Sequence, residues 1–161
     1  METKYEITWP WLGGFFDGEG CVTRWVQANG LPQPVLSISN NELALLEAIE
    51  KFLGEGKGMR IKPSEGGRSY FIQITGAKRI LPILKKLYSH LQSEDTKDRA
   101  RYCLELCQRM KDRTGYIPGE GNRLPDEERA YRIWLAEQSM SRAPGAQKRR
   151  ENYAKQGKSI S

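Results

Sequence analysis

Hydrophobic positions along this chain fall into stretches with helical spacing and stretches with strand spacing. Thr8 to Gly18 reads as a helix that Thr8 can cap, with Pro10 tolerated in its first turn. Trp9, Trp11, Phe15 and Phe16 make it apolar on most sides, which predicts burial. Cys21 to Gln27 follows as a strand whose larger apolar residues are Cys21, Val22, Trp25 and Val26. Asn29-Gly30 signals a turn, and Pro34 to Ser39 gives the returning strand. Leu43, Leu46, Ile49, Phe52 and Leu53 then recur at helical spacing, with Asn40 or Asn41 as cap and Gly54, Gly56 and Gly58 as the stop. A second hairpin pairs Lys57–Lys62 with Arg68–Thr75 around the turn from Pro63 to Gly67. Helices are expected over Lys78–Leu91, Lys97–Lys111 and Asp126–Gln138, with a Gly- and Pro-rich loop from Thr114 to Pro125. The order is helix, hairpin, helix, hairpin, helix, helix and a further helix, an α+β arrangement with four antiparallel strands.

With 161 residues the chain has room for one domain and a moderate core. The net charge of +6 is unevenly placed. Ser139 to Ser161 hold six basic residues and one acid, so that tail supplies +5 and the rest about +1. Any polyanion site in the body must therefore be a local patch. The tail itself suits either a solvated terminus or nucleic-acid contact. Cys21, Cys103 and Cys107 form no even disulfide framework; a zinc needs about four ligands, and the single His90 gives the cysteines no obvious partner. They are expected to be reduced and buried. No signal peptide or membrane-length apolar run is present, so we expect an intracellular protein of cytoplasm, nucleoid or organelle, neither secreted nor membrane-bound.

The string Leu12-Gly13-Gly14-Phe15-Phe16-Asp17-Gly18-Glu19-Gly20 carries the most chemistry. Side-chain-free Gly13 and Gly14 allow close approach of another helix. Gly18 and Gly20 suit a helix end with positive φ. Asp17 and Glu19 stand at that end, placed for a metal or a phosphate. Alone, such an acid is also what any exposed residue beside a helix end looks like. The string resembles the motif of the LAGLIDADG homing endonucleases. Leu12 matches its first position, Gly14 its glycine, Asp17 and Glu19 its two acids, and Gly20 its last residue. The likeness covers roughly residues 5–112, taken as the endonuclease core, followed by a loop and C-terminal helix over 113–138 and the basic tail over 139–161.

The resemblance implies the αββαββα fold of that family, with a curved four-stranded antiparallel sheet straddling DNA. It implies a site-specific double-strand DNA endonuclease that serves intron homing. Because only one copy of the motif is present, it also implies a homodimer acting on a long pseudo-palindromic target. Leu12, Gly13, Gly14, Phe16 and Asp17 would lie in the subunit interface. Glu19 would be the catalytic carboxylate and metal ligand, helped by the Gly18 backbone, with Mg2+ or Mn2+ as cofactor. Magnesium takes oxygen ligands and keeps waters, so one or two carboxylates with phosphate oxygens suffice. Family members often carry Asp where this chain has Glu19, which is one methylene longer. Asn40 is placed either to position a water or to cap a helix. Lys97 is placed either to stabilise the phosphate or to face solvent.

Strand alternation selects the residues that would meet DNA. Thr23, Trp25 and Gln27 share one face of the first strand. Gln33, Ser37 and Ser39 share a face of the second if Leu36 and Ile38 point inward. On the second hairpin Arg60 and Lys62 oppose inward Met59 and Ile61, while Ser69, Phe71 and Gln73 oppose inward Tyr70, Ile72 and Ile74. Arg24, Asn29 and Arg68 stand at or near the turns. Arg60 and Lys62 are the expected guanine readers. A wet face would avoid Trp25 and Phe71, which favours a macromolecular partner. The alternative is a non-cleaving scaffold: a maturase that binds intron RNA, or a DNA-binding regulator.

Overall fold

The computed structural model describes residues 4–56, 58–121 and 123–140. The basic stretch over 141–161 lies outside the described residues. Thr8 caps the first helix, its Oγ1 accepting from the Trp11 N–H at 3.3 Å, and α1 runs Trp9–Glu19 with Pro10 in its first turn. β1 (Gly20–Val26) and β2 (Pro32–Asn40) form the first hairpin. Asn29 builds its turn: the side-chain Oδ1 accepts from the Leu31 N–H at 3.0 Å. α2 (Leu43–Leu53) begins at Glu42 rather than at an asparagine cap. Asn40 still shapes the entry, because its Oδ1 accepts from the Glu42 N–H at 2.8 Å.

β3 (Met59–Pro63) and β4 (Tyr70–Thr75) form the second hairpin. Its turn is longer than the sequence predicts. Ser64 and Ser69 bond to each other across it, so Ser69 belongs to the turn and not to β4. The sheet order is β1-β2-β4-β3, antiparallel throughout.

α3 (Ala77–Tyr88) stops three residues before the expected end, and α4 (Glu94–Lys111) starts three residues before the expected start. The reason is Ser93, whose hydroxyl accepts from the Thr96 N–H at 3.3 Å, with Glu94 and Asp95 favoured at the positive helix end. α5 (Asp126–Ser139) packs against α4 and the first hairpin.

One face of the sheet carries the core. Val22, Leu36, Ile38, Ile72, Ile74 and Met59 pack with Leu12 and Phe16 of α1, Leu46 and Ile49 of α2, and Ile80 and Leu84 of α3. Full burial of such side chains is worth about 1.5–3 kcal/mol each. Cys103 and Cys107 of α4 are buried in the same core as free thiols, as expected, whereas Cys21 is only half-buried. A smaller cluster of Leu106, Leu135 and Ala136 joins α4 to α5.

Beside that cluster lies a charged clamp. Glu128 takes two bonds from Arg109, at 2.9 and 2.6 Å, and one from Arg132 at 3.2 Å. Arg132 also reaches the carbonyls of Arg109 and Thr114. The Arg109 bonds hold the Glu128 carboxyl below its usual range, and the same contact raises Arg109.

Candidate nucleic-acid interface and motif acids

The end of α1 decides where the motif acids stand. Gly20 has φ −93 and its N–H donates to the Phe16 carbonyl. The positive φ expected at Gly18 and Gly20 is therefore absent. Glycine is required at position 20 for another reason: a Cβ there would sit 2.2 Å from the Phe16 ring. Asp17 is used within the chain. Its two oxygens accept from the Gln92 N–H at 2.7 Å and the Ser93 N–H at 3.4 Å, tying the end of α1 to the start of α4. Glu19, the last residue of α1, is exposed and leads directly into β1.

Four of the five positions expected in the subunit interface are engaged within the chain itself. Leu12 is fully buried and Phe16 almost so, inside the chain's own core, and they have no surface to offer a second copy. Gly13 is buried as well, because the α3–α4 connection presses on it: a Cβ would meet the His90 Cβ at 2.5 Å. Asp17 points to that same connection. The open face of α1 is instead Trp11, Gly14, Phe15 and Gly18, one helical stripe. Trp11 is 39% exposed and stacks on half-buried Phe15 at 4.9 Å, and a Cβ at Gly14 would meet nothing within 4 Å.

The strand register assembles the face of the sheet opposite the core. Cys21, Ser37, Gln73 and Arg60 form one cross-strand row. Thr23, Val35 and Thr75 form the next, Trp25 pairs with Gln33 beyond it, and Ser39, Phe71 and Lys62 form the row on the other side. Residues far apart in sequence thus share one surface of hydroxyls, amides, aromatic rings and two cations. Trp25 is half exposed at its far end. Cys21, Val35 and Thr75 also belong to this face, although sequence reasoning passed over them. Polarity pointed elsewhere, and only the register reveals them. Cys21 bonds with Ser37, and burial pushes its thiol above the usual value.

Other candidates are placed differently. Arg24 lies on the core side of β1, between Val22 and Val26 and opposite Pro34, because alternation sends it away from Thr23 and Trp25. Gln27 follows β1, its N–H donating to the Leu31 carbonyl at 2.9 Å, and Arg68 is exposed in the second turn. Asn29 uses its side chain in the first turn and its carbonyl to accept from Arg129 at 2.5 Å. Asn40 follows Leu36 and Ile38 on the core-side alternation, opposite Tyr70. Lys97 is the fourth residue of α4, 3.7 Å from Glu94, on the helix whose start Asp17 ties to the motif. Among the described residues no group of three or more His, Cys, Asp or Glu converges as a metal site, and no helix is long and apolar enough to cross a membrane.

The fold is that of the LAGLIDADG homing endonucleases. The structure of the homing endonuclease I-TnaI matches with a TM-score of 0.68 at 18% identity, over 90% of this chain and 96% of that one. I-SmaMI bound to an uncleaved DNA target with calcium matches with a TM-score of 0.65 at 20% identity, over 81% of this chain and 44% of that one. The meganuclease I-AabMI bound to uncleaved DNA matches with a TM-score of 0.57 at 23% identity, over 66% of this chain and 38% of that one. The chain therefore spans less than half the length of I-AabMI and I-SmaMI and nearly all of I-TnaI. At the sequence level no family model and no curated protein matches it.

Proposed function

We propose that this chain is a site-specific double-strand DNA endonuclease that hydrolyses phosphodiester bonds with a divalent metal and acts as a homodimer. One observation carries the reading: a mixed polar, cationic and aromatic sheet face begins directly after an exposed motif acid. The two-stranded ribbons present Ser37, Gln73, Arg60 and Lys62 in cross-strand rows. Such rows suit base edges in a major groove. The overlaps with a chain of similar length and with chains of which this one matches less than half support a unit that works in pairs.

The residues suit a magnesium- or manganese-type ion. Asp17 is engaged by backbone N–H groups, which leaves Glu19 as the available motif carboxylate. An ion of this kind needs only one or two carboxylates, with water and phosphate oxygens as its other ligands. Glu19, with the Gly18 backbone, would hold it. Bound there, the metal would supply charge neutralisation at the phosphate and an activated water. The protein's own part is placement. The sheet face would fix the duplex, Gly20 and Phe16 set where Glu19 leaves α1, and Lys97 would bring positive charge from α4. Pairing through the Trp11, Gly14, Phe15 and Gly18 stripe would bring two Glu19 residues together, one for each DNA strand.

The test is magnesium-dependent cleavage of a randomised duplex library by wild type and Glu19→Gln. Wild type is expected to cut a pseudo-palindrome, and the variant to bind it without cutting. Binding without cleavage by both proteins would reject the nuclease and leave a regulator or an intron-RNA maturase on this scaffold.

A further inference from the structure

The α4–α5 connection sets a strained cation beside the end of the polar sheet face. Asp112 closes α4 in the right-handed region and Arg113 follows with φ 54, the sole positive φ at a non-glycine among the described residues. Glycine ordinarily fills this position, since a Cβ is opposed there by the neighbouring carbonyl. The helix end is served by main-chain bonds. The Arg113 N–H donates to Met110 O at 3.3 Å and the Thr114 N–H to Arg109 O at 2.9 Å. A glycine would make both without strain, so the arginine adds nothing to this cap. Strain of this kind collects at functional positions.

The surroundings say what the side chain is for. Its guanidinium lies over the Tyr116 ring, 4.3 Å from the centroid. Arg113 and Tyr116 line an open cleft of about 310 Å³ together with Gln27, Asn29 and Gln33. Gln27 and Gln33 are the last residues of the sheet face assigned to DNA. Arg132 lines the same cleft and bonds Glu128 and two carbonyls. Arg129 bonds the Asn29 carbonyl, so α5 and the hairpin turn are held together.

We propose that Arg113 is a phosphate anchor for duplex DNA leaving the β1–β2 end of the sheet, oriented by Tyr116. This rests on the DNA-binding reading above. The guanidinium fork matches two phosphate oxygens. A backbone contact carries no sequence information, so a random-sequence duplex is a sufficient probe.

Arg113→Gly is compared with wild type, with Arg113→Lys and with Lys85→Ala, which removes the same charge from α3 on the core side of the sheet. Arg113→Gly is expected to unfold at a higher temperature yet bind several-fold more weakly, with a salt slope smaller by about one. Arg113→Lys should recover most of the affinity, and Lys85→Ala should bind like wild type. If wild type binds and Arg113→Gly binds equally well with the same slope, the anchor is wrong. Equal losses in Arg113→Gly and Lys85→Ala would reduce the effect to net charge and overturn it. A lowered unfolding temperature in Arg113→Gly would make the arginine structural, which also overturns it. If wild type fails to bind duplex DNA at all, the DNA-binding reading falls first and the anchor with it.

Discussion

Gly13 and Gly14 are neighbours in sequence and opposites in environment. A Cβ on Gly13 would strike His90 at 2.5 Å and its carbonyl oxygen at 2.9 Å, whereas one on Gly14 meets open space. Gly13→Ala should therefore destabilise the fold by about 1–3 kcal/mol, the usual cost of overpacking. Gly14→Ala should stabilise the isolated chain by up to about 1 kcal/mol through helix propensity alone. Denaturant unfolding of the two variants at low protein concentration separates these outcomes, and equal effects would refute the assignment of faces. The motif string invites a symmetric reading of both glycines. One admits the chain's own α3–α4 connection, and the other faces open space.

Among the elements, α5 is the one whose attachment the sequence left unexplained. It is held by Leu135 and Ala136 against Leu106 and by Glu128 between Arg109 and Arg132. The Glu128 carboxylate keeps its charge to lower pH in the folded chain than in the unfolded one. Its contribution is therefore complete above the ordinary glutamate range and is lost as pH falls through the depressed folded value. Glu128→Gln should cost on the order of 2 kcal/mol at neutral pH, and the gap to wild type should close in acid. Thermal midpoints of both proteins across pH 2–7 check this, and a pH-independent gap would contradict it. The helices and strands themselves were largely legible, because spacing and caps are local. Boundaries moved where a local bond overruled composition, as Ser93 did for α4 and Ser69 for the second turn.

For the whole molecule, the open stripe on α1 sets the expected assembly. Exposed Trp11 and half-buried Phe15 flank Gly14 on a helix whose other side is buried. Trp11→Asp should leave the fold intact and shift sedimentation from dimer to monomer. Loss of cleavage should accompany the shift, because each subunit brings one Glu19. A variant that still sediments as a dimer would place the interface elsewhere.

The order of elements and the inward set of the second hairpin follow from the sequence by itself, since periods of two and 3.6 and short-range capping need no partner; the motif acids were picked out by resemblance. Tertiary structure alone decided which acid is available, because Asp17 meets Gln92 and Ser93 across 75 residues or more. It also decided that Gly20 is needed for the Phe16 ring and not for φ, and that Arg24 turns away from the face Cys21 joins. Those outcomes depend on where distant segments pack and on strand register, and no single stretch of residues encodes either.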